Sequence, residues 1–165
     1  MMLAFDNRLI VTQKFDVEMV AIADGHYSRQ KPGTTQFMPP GKTIVIRDAE
    51  ARLCFGWLWQ QYRDDKEEGY CCSIFNNASE RRSSDVILEC EAIVRLKWGN
   101  RRMFTYVDPS KVKSANPGYC FKQAGWRFVR RNPDGKHLLA KEAIDRQEQI
   151  QQDKRLEFCR PAGER

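Results

Sequence analysis

The middle of the chain contains a strand-like run, a long helix-like run and a second strand-like run, and this succession restricts the possible folds more than any other feature. Residues 70–75 are a short apolar stretch, which is typical of a buried strand. Residues 102–107 form a similar run. Between them, residues 84–98 carry apolar side chains at the spacing of one helix face, namely Ile87, Cys90, Val94 and Trp98. The succession predicts an α/β fold.

The flanking segments add two predicted hairpins. Residues 43–47 and 53–59 favour strands, and a short polar turn separates them. Residues 126–130 and 137–141 favour a second pair of strands, joined by a segment that contains Pro-Asp-Gly, a strong turn signal.

Two shorter helices complete the predicted elements. The first begins at a capping Asp16, after a strand over residues 3–13. The second begins at a capping Asn116 with Pro117 in its first helical position, and it ends at residues 124–125. The order strand, helix, hairpin, strand, helix, strand, helix, hairpin predicts one α/β domain with a mixed central sheet flanked by helices.

Polar residues of the long helix are expected at its start and on its outer face. Ser83 or Ser84 can cap the helix through a side-chain oxygen. Glu89 and Glu91 are expected to face solvent.

Length and composition predict a single domain with a polar tail. The chain has 165 residues, of which 41% are hydrophobic and 30% charged, as in ordinary globular proteins. We expect the domain over residues 1–141 and a polar helix and tail over residues 142–165. Whether this tail pairs with a second subunit in a homodimer stays open. The sequence has neither a run long enough to span a membrane nor a signal peptide pattern. We therefore expect a cytoplasmic protein without membrane contact.

The net charge of +6 favours a polyanionic partner, because basic surface attracts phosphate and releases its counterions. The arginines form three short clusters, and they bind nucleic acid if they converge on one face. The alternative is that each cluster is a solvated end of a helix or strand. Arg101 and Arg102 are taken as DNA contacts, and the other clusters are Arg81-Arg82 and Arg127 with Arg130-Arg131.

Six cysteines are present, and we expect free thiols because no secretion signal accompanies them. None of the cysteine pairs has the spacing of a zinc site, and the chain has two histidines, which argues against structural zinc.

The layout of residues 70–107, followed by a short helix that ends in Ala124-Gly125-Trp126, resembles the second half of GNAT-type acyltransferases. The resemblance covers roughly residues 43–141 and implies a GNAT-like mixed sheet. GNAT proteins place a glycine-containing loop before the long helix, where backbone N–H groups hold the coenzyme A pyrophosphate. Here residues 77–84 contain no glycine, which argues against ordinary acetyl-CoA binding.

Four motifs spread along the chain carry a closer resemblance. They are His26-Tyr27-Ser28-Arg29, Gln36-Phe37 with Pro39-Pro40-Gly41, Tyr106-Val107-Asp108-Pro109 and Asn116-Pro117-Gly118-Tyr119-Cys120-Phe121. Together they resemble the Mom-type phage DNA-modification proteins, a divergent GNAT-like group. The resemblance implies an enzyme that converts adenine in double-stranded DNA to an N6-carbamoylmethyl form resistant to host restriction, and it implies iron as a candidate cofactor.

Asp108 and Tyr119 are candidates for catalysis within these motifs. Asp108 ends a strand-like run, where α/β sheets place functional groups, and it could act as general base at the adenine amino group or as a metal ligand. A turn-forming role is the commoner use of Asp-Pro. Tyr119 could be an acid, a phenolate ligand or a platform for base stacking, or it could pack on the sheet.

His26 and Tyr27 lie in a polar loop, where packing in an apolar core explains neither of them well. His26 could ligate iron together with Asp108, or shuttle a proton at neutral pH. Tyr27 could stack on a flipped adenine, because chemistry at N6 requires the base to leave the duplex stack. Arg29 and Lys31 would then contact the flanking phosphates.

The start of the long helix is the predicted cofactor site. Ser83 and Ser84 could bind an anion there, although simple capping is the alternative. Arg81 and Arg82 could replace the missing glycines by pairing with a phosphate or carboxylate of the donor, which is acetyl-CoA or another acyl or aminoacyl donor. Asn116, at the start of the late helix, is assigned to the same site.

Two other functions remain open at this point: a conventional acyl-CoA-dependent N-acyltransferase acting on a small amine or protein, and a non-catalytic DNA-binding protein. The sequence has no Ser-His-Asp ordering, P-loop lysine or dinucleotide fingerprint, which argues against hydrolases and nucleotide-binding proteins.

Overall fold

Seven strands and four helices make up residues 8–158, the part of the chain that this computed structural model describes; for residues 155–158 it gives the backbone alone. The strands are β1 (Leu9–Thr12), β2 (Lys42–Asp48), β3 (Leu53–Trp59), β4 (Tyr70–Asn77), β5 (Met103–Val107), β6 (Arg127–Arg131) and β7 (His137–Lys141). The helices are α1 (Val17–Asp24), α2 (Ser83–Trp98), α3 (Tyr119–Gln123) and α4 (Arg146–Phe158). Of the first predicted strand, residues 3–7 lie outside the described residues.

The strands form one mixed sheet in the order β1-β2-β3-β4-β5-β7-β6. Neighbouring strands are antiparallel except β4 and β5, which are parallel and are connected through α2. The expected single α/β domain with a GNAT-like mixed sheet and flanking helices is therefore confirmed.

Helices cover both faces of the sheet. Helices α2 and α3 pack on one face, where Ile87, Cys90 and Val94 are fully buried, as their spacing predicts. Trp57 is fully buried in the same layer, and the partly buried Trp59 packs against that layer. The second layer holds α1 and apolar residues of the loop formed by residues 26–41.

The sheet opens between β4 and β5. Three residue pairs join the two strands, and the last of them is Cys72 with Thr105. The Thr105 hydroxyl donates to the Cys72 carbonyl over 2.8 Å, and beyond this contact the strands pair no further. Next to the opening, β4 carries a bulge at Ser73, because Gly56 and Trp57 of β3 pair with Ile74 and Cys72.

Two predicted caps are wrong. Arg82, rather than Ser83 or Ser84, occupies the N-cap of α2, and the Ser83 hydroxyl instead accepts a hydrogen bond from Asn77 Nδ2 over 3.0 Å. Helix α3 begins at Tyr119 after Gly118, so Asn116 is not its cap and Pro117 is not its first residue.

Packing explains the later start of α3. Gly118 has φ 74°, a conformation that favours glycine, and an added Cβ would lie 2.3 Å from Leu139 Cδ1. Asn116 contributes its carbonyl, which accepts from the Tyr119 N–H over 3.1 Å, and this closes a turn before the helix. The chain therefore enters α3 through this turn, with its backbone pressed against β7.

The expectation that Glu91 faces solvent is also wrong. Its side chain is completely buried, and it accepts hydrogen bonds from Trp126 Nε1, Arg95 Nη1 and Lys141 Nζ. Glu89 is half-buried and pairs with Arg81. The carboxylate of Glu91 thus joins α2 to β7 and to the residue that precedes β6.

The tail is connected to the domain at its start. Asn100 Nδ2 donates to the Ile144 carbonyl over 2.6 Å, and the Ile144 N–H donates back to Asn100 Oδ1 over 3.0 Å. Helix α4 follows and contacts α2. Among the described residues, no helix is long and apolar enough to cross a bilayer.

Candidate functional site

Two cavities meet where β4 and β5 separate. The larger, of about 640 Å³, lies on the α1 side and is lined largely by the loop of residues 26–41. The smaller, of about 350 Å³, lies on the α3 side, where Gly118, Cys120 and Phe121 line it. Six residues line both cavities, so the two spaces adjoin each other at the opening: Tyr27, Ser28, Cys72, Ser73, Ile74 and Tyr106. A molecule in each cavity could therefore meet the other at this opening.

His26 and Tyr27 lie across the opening. Their rings are stacked, with centroids 4.4 Å apart. The Phe75 carbonyl, on the free part of β4, acts on the pKa of His26, and the Asp108 N–H, just after β5, acts on the pKa of Tyr27. The pair thus lies near the free backbone of both separated strands, and the loop supplies side chains at the opening.

The hydrogen bonds of His26 define its tautomer. Nδ1 accepts from the Ser28 N–H over 3.2 Å, and this donor leaves Nδ1 without a proton in the neutral ring. Nε2 therefore carries the proton and can donate to the Phe75 carbonyl. Burial lowers the pKa of His26, although the Phe75 carbonyl raises it in part. The ring is accordingly neutral at pH 7, and Ser28 Oγ lies 2.7 Å from Nδ1.

Arg29 holds this loop in place. Its Nε donates to Asp24 Oδ1 over 2.7 Å and its Nη2 to Thr34 Oγ1 over 2.6 Å, while the Gly33 N–H donates to Asp24 Oδ2 over 3.0 Å. The Arg29 side chain is 7% exposed. The structure thus gives Arg29 an internal role in presenting His26 and Tyr27, and its predicted phosphate contact stays a prediction.

Tyr106 lies on β5 at the junction of the cavities, and its phenol is part of an ion-paired network. The hydroxyl donates to Asp65 Oδ2 over 3.0 Å, and Arg63 forms a bidentate pair with the same carboxylate over 2.9 and 2.7 Å. The Arg63 pair lowers the pKa of Asp65 to about 2. Burial, and to a smaller extent the hydrogen bond to Asp65, raises the pKa of Tyr106 to about 12. Asp65 is therefore ionised and Tyr106 protonated at neutral pH.

Cys72 and Cys120 place two thiols beside the opening. Burial raises the pKa of Cys120, and it raises the pKa of Cys72 well above the usual value of a thiol. Both sulfurs are accordingly protonated at neutral pH and are poor nucleophiles. The expectation of free thiols is confirmed for the five described cysteines, and Cys159 lies outside the described residues.

The residues predicted to bind a cofactor have local partners. Asn77, which lines the smaller cavity, donates to the Arg81 carbonyl over 2.9 Å and accepts from the Ser79 hydroxyl over 2.6 Å. These bonds shape the turn before α2. Arg81 pairs with Glu89, and Arg82 is exposed at the helix start.

The other predicted cofactor residues lie at the start of α2 and just before α3. Ser83 is half-buried, Ser84 is buried, and Asn116 Oδ1 accepts from Lys122 Nζ over 2.6 Å. Their role in cofactor binding stays a prediction.

Asp108 and Tyr119 lie beside the opening. Asp108 Oδ1 accepts from the N–H and hydroxyl of Ser110 over 2.9 and 2.7 Å, which is an Asx turn, and these bonds lower the pKa of its carboxyl. Tyr119 is 55% exposed at the first position of α3. Within residues 8–158, neither side chain lines the two cavities. Their catalytic roles stay predictions.

His26 and Asp108, the predicted iron ligands, both have hydrogen-bond partners within their own turns in the structure. Among the described residues, no group of three or more His, Cys, Asp or Glu side chains is arranged to hold a metal ion. Iron binding by His26 and Asp108 therefore stays a prediction, and no chemical step is derived from a metal.

One arginine from each of two basic clusters meets at Glu67, which pairs with Arg102 over 2.9 Å and with Arg130 over 2.7 Å. Arg102 lies over the Phe104 ring and Arg130 lies near Tyr106, so both are on the face that carries the larger cavity. Lys136 lines that cavity, and Lys31 is exposed on its loop. Arg101 instead lies over the Trp59 ring, 5.1 Å from its centroid.

Comparison with known proteins assigns no family to the chain: no family model matches it, and no curated protein does. The resemblance to Mom-type proteins therefore stays a prediction.

Sequence reasoning missed three residues of this site: Ser28, Asp65 and Tyr106. Ser28 and Tyr106 belong to two of the four motifs that resemble Mom-type proteins, and this membership could have marked them as site residues. Asp65 lies in a charged loop 41 residues before Tyr106, and nothing in the local sequence links the two.

Proposed function

We propose that this protein modifies adenine in double-stranded DNA, transferring a small carbamoylmethyl-type group to N6 and so protecting phage DNA from host restriction. The observation that carries the proposal is that two cavities on opposite faces of the sheet adjoin at its opening and share six lining residues, because a donor and an acceptor could approach each other there. The motif resemblance supplies the identity of the acceptor. In a phage-infected host, such a protein acts in the cytoplasm, where the DNA is.

In this proposal the larger cavity receives a flipped adenine. Tyr27, 42% exposed beside this cavity, offers a ring for base stacking, and Lys31 and Lys136 are placed to contact flanking phosphates. Arg102 and Arg130 extend the basic surface on the same face. A flipped base is required because N6 is inaccessible to a transfer reaction inside the duplex stack.

The smaller cavity, next to the start of α3, receives the donor, which for a carbamoylmethyl product carries its leaving group on the methylene carbon beside the carboxamide. N6 attacks that carbon, a new nitrogen–carbon bond forms and the leaving group departs with the electron pair. An acyl or aminoacyl donor such as acetyl-CoA, attacked at its carbonyl carbon, gives an N6-acyl product instead, and the mass of the modified nucleoside distinguishes the two. One N6 proton must leave. Ser28 lines both cavities and its Oγ lies 2.7 Å from the unprotonated His26 Nδ1, so the proton passes through the Ser28 hydroxyl to His26.

The test is to express the protein in a bacterial host, digest the host and plasmid DNA to nucleosides and analyse them by mass spectrometry. A heavier deoxyadenosine is expected with the wild-type chain, and its mass identifies the transferred group. His26→Gln should abolish the product. Lys154→Ala, an exposed change on α4, should leave it unchanged. Unmodified deoxyadenosine with well-expressed, folded wild-type protein would contradict the proposal.

A conventional acyl-CoA-dependent N-acyltransferase is the second candidate, and the observation in its favour is the arrangement of the sheet. The parallel strands β4 and β5, connected through α2 and followed by the short helix α3, have the order that the resemblance to GNAT-type acyltransferases implies. This candidate predicts that acetyl-CoA raises the midpoint of thermal unfolding in a saturable way. Stabilisation by acetyl-CoA together with unmodified DNA would favour it over DNA modification.

A further inference from the structure

Tyr106 is a polar group at the junction of the two cavities to which the sequence assigns no role. It lies on β5 one residue beyond the last pair with β4. Its ring lies on the sheet face that carries the larger cavity, because it packs with the residues of that layer. A molecule that reaches the opening from this side therefore meets Tyr106.

The phenol proton of Tyr106 has a fixed direction. Asp65 Oδ2 accepts it over 3.0 Å, and the bidentate pair with Arg63 keeps Asp65 ionised, so this carboxylate can only accept. The Arg130 guanidinium also lies near the phenol, and a guanidinium can only donate, so it shares the acceptor side of the phenol oxygen. With its proton held by Asp65, the phenol oxygen acts towards a further partner as a hydrogen-bond acceptor.

We infer that Tyr106, held by Asp65 and Arg63, selects a substrate base that carries an exocyclic amino group at the opening. The amino group of adenine donates to the phenol oxygen. A base with a carbonyl at the same position, such as hypoxanthine, presents an acceptor to an acceptor and is rejected. Because an unpaired buried polar group is costly, one such mismatch changes affinity by about tenfold or more.

The inference deepens the proposed function and rests on its placing of a base in the larger cavity. In that setting the two N6 hydrogens have different partners. One leaves through Ser28 to His26, and the other stays on N6 and is held by Tyr106. Tyr106 thus acts as a specificity-determining residue that orients the amino group, and it takes no proton itself.

The experiment compares two single-stranded oligothymidines by fluorescence anisotropy, one with a single central adenine and one with hypoxanthine in its place. Wild-type protein should bind the adenine strand about tenfold more tightly. Tyr106→Phe, which removes the hydroxyl and keeps the ring, should reduce the preference to below about twofold. Tyr62→Phe is the matched control, because Tyr62 is 85% exposed, and it should retain the full preference.

A second variant tests the direction of the proton. In Asp65→Asn the amide can donate to the phenol oxygen, so the Tyr106 proton is free to turn towards the cavity, and the preference should fall or reverse. Thermal unfolding of each variant identifies those that fold. Equal wild-type affinity for the two strands, or a preference that survives in folded Tyr106→Phe, overturns the inference.

The outcomes separate this inference from the function on which it rests. If wild-type protein prefers the adenine strand through Tyr106 but modifies no DNA in the host, base recognition by Tyr106 is supported and the proposed transfer to N6 is contradicted. If DNA is modified and Tyr106→Phe produces the same amount per folded protein, the transfer stands and the role of Tyr106 is overturned.

Discussion

The indole N–H of Trp126 donates to Glu91 Oε1 over 2.5 Å, and both side chains are buried. The other oxygen of the same carboxylate accepts from Arg95 and Lys141 over 3.1 and 2.8 Å. Two cations and one aromatic donor thus converge on a single buried anion beneath the sheet. This cluster holds α2, which connects β4 and β5, against β7.

Removing that anion should destabilise the protein strongly. In Glu91→Ala, Arg95 and Lys141 lose their buried counter-charge, and we expect a loss of about 3–5 kcal/mol in the free energy of unfolding. Urea denaturation measures it. Glu89→Ala, two residues away on the same helix, breaks a half-exposed pair with Arg81 and should cost less than about 1 kcal/mol. Equal losses in the two variants would contradict the buried network.

Gly69, at the entrance to β4, should not tolerate a side chain. It has φ +111°, and an added Cβ would lie 2.1 Å from the Arg102 carbonyl oxygen, so Gly69→Ala should cost about 2–4 kcal/mol in the free energy of unfolding. Gly33→Ala is the control, because Gly33 has φ +82° with open space around it, and about 1 kcal/mol is expected there. Thermal or urea unfolding of both variants measures the difference.

His26 should titrate below the usual histidine range in the folded protein. Burial lowers its pKa from 6.5, so the unfolded chain binds a proton first as the pH falls. The contribution of His26 to stability is therefore present above pH 6.5 and is lost as the pH falls through the folded pKa. NMR titration of the ring protons, assigned by comparison with His26→Gln, measures the midpoint. A midpoint at or above 6.5 would contradict the buried, neutral ring.

The five described cysteines should react slowly in the native state. Burial raises the pKa of all five described cysteines, and it raises those of Cys54 and Cys71 to about 12 and about 11. A Cys159→Ser chain keeps only these five. We expect it to react with a disulfide reagent at pH 8 far more slowly when folded than in denaturant. Rapid reaction of a thiol in the folded chain would indicate an accessible thiolate.

Local patterns in the sequence were sufficient for most of the fold. The period of Ile87, Cys90 and Val94 predicted α2, and the Pro-Asp-Gly turn predicted the β6–β7 hairpin. Both signals act over a few residues. The burial of Glu91 also had a local signal, because position 91 follows Ile87 by four residues and precedes Val94 by three, so it lies on the apolar stripe despite its charge.

The remaining errors and omissions depend on contacts between distant residues. Ser83 looked like a cap, but Asn77 in β4 binds its hydroxyl. Asn116 and Pro117 matched a helix start, but the approach of Gly118 to Leu139 delays the helix. The site shows the same limit: the motifs identified His26 and Tyr27, whereas the bond between Asp65 and Tyr106 joins a loop to a strand that only the folded chain brings together.

The short β4–β5 ladder also has a mechanical consequence. Tyr70, Cys71 and Cys72 make all the strand pairs that join the first four strands to the last three. These three pairs are therefore the narrowest part of the sheet, and a small rotation about them would change the width of the opening at its far end. A change of side-chain volume at Cys71 or Cys72 would thus alter the distance between the separated strands beside which His26 and Tyr27 lie.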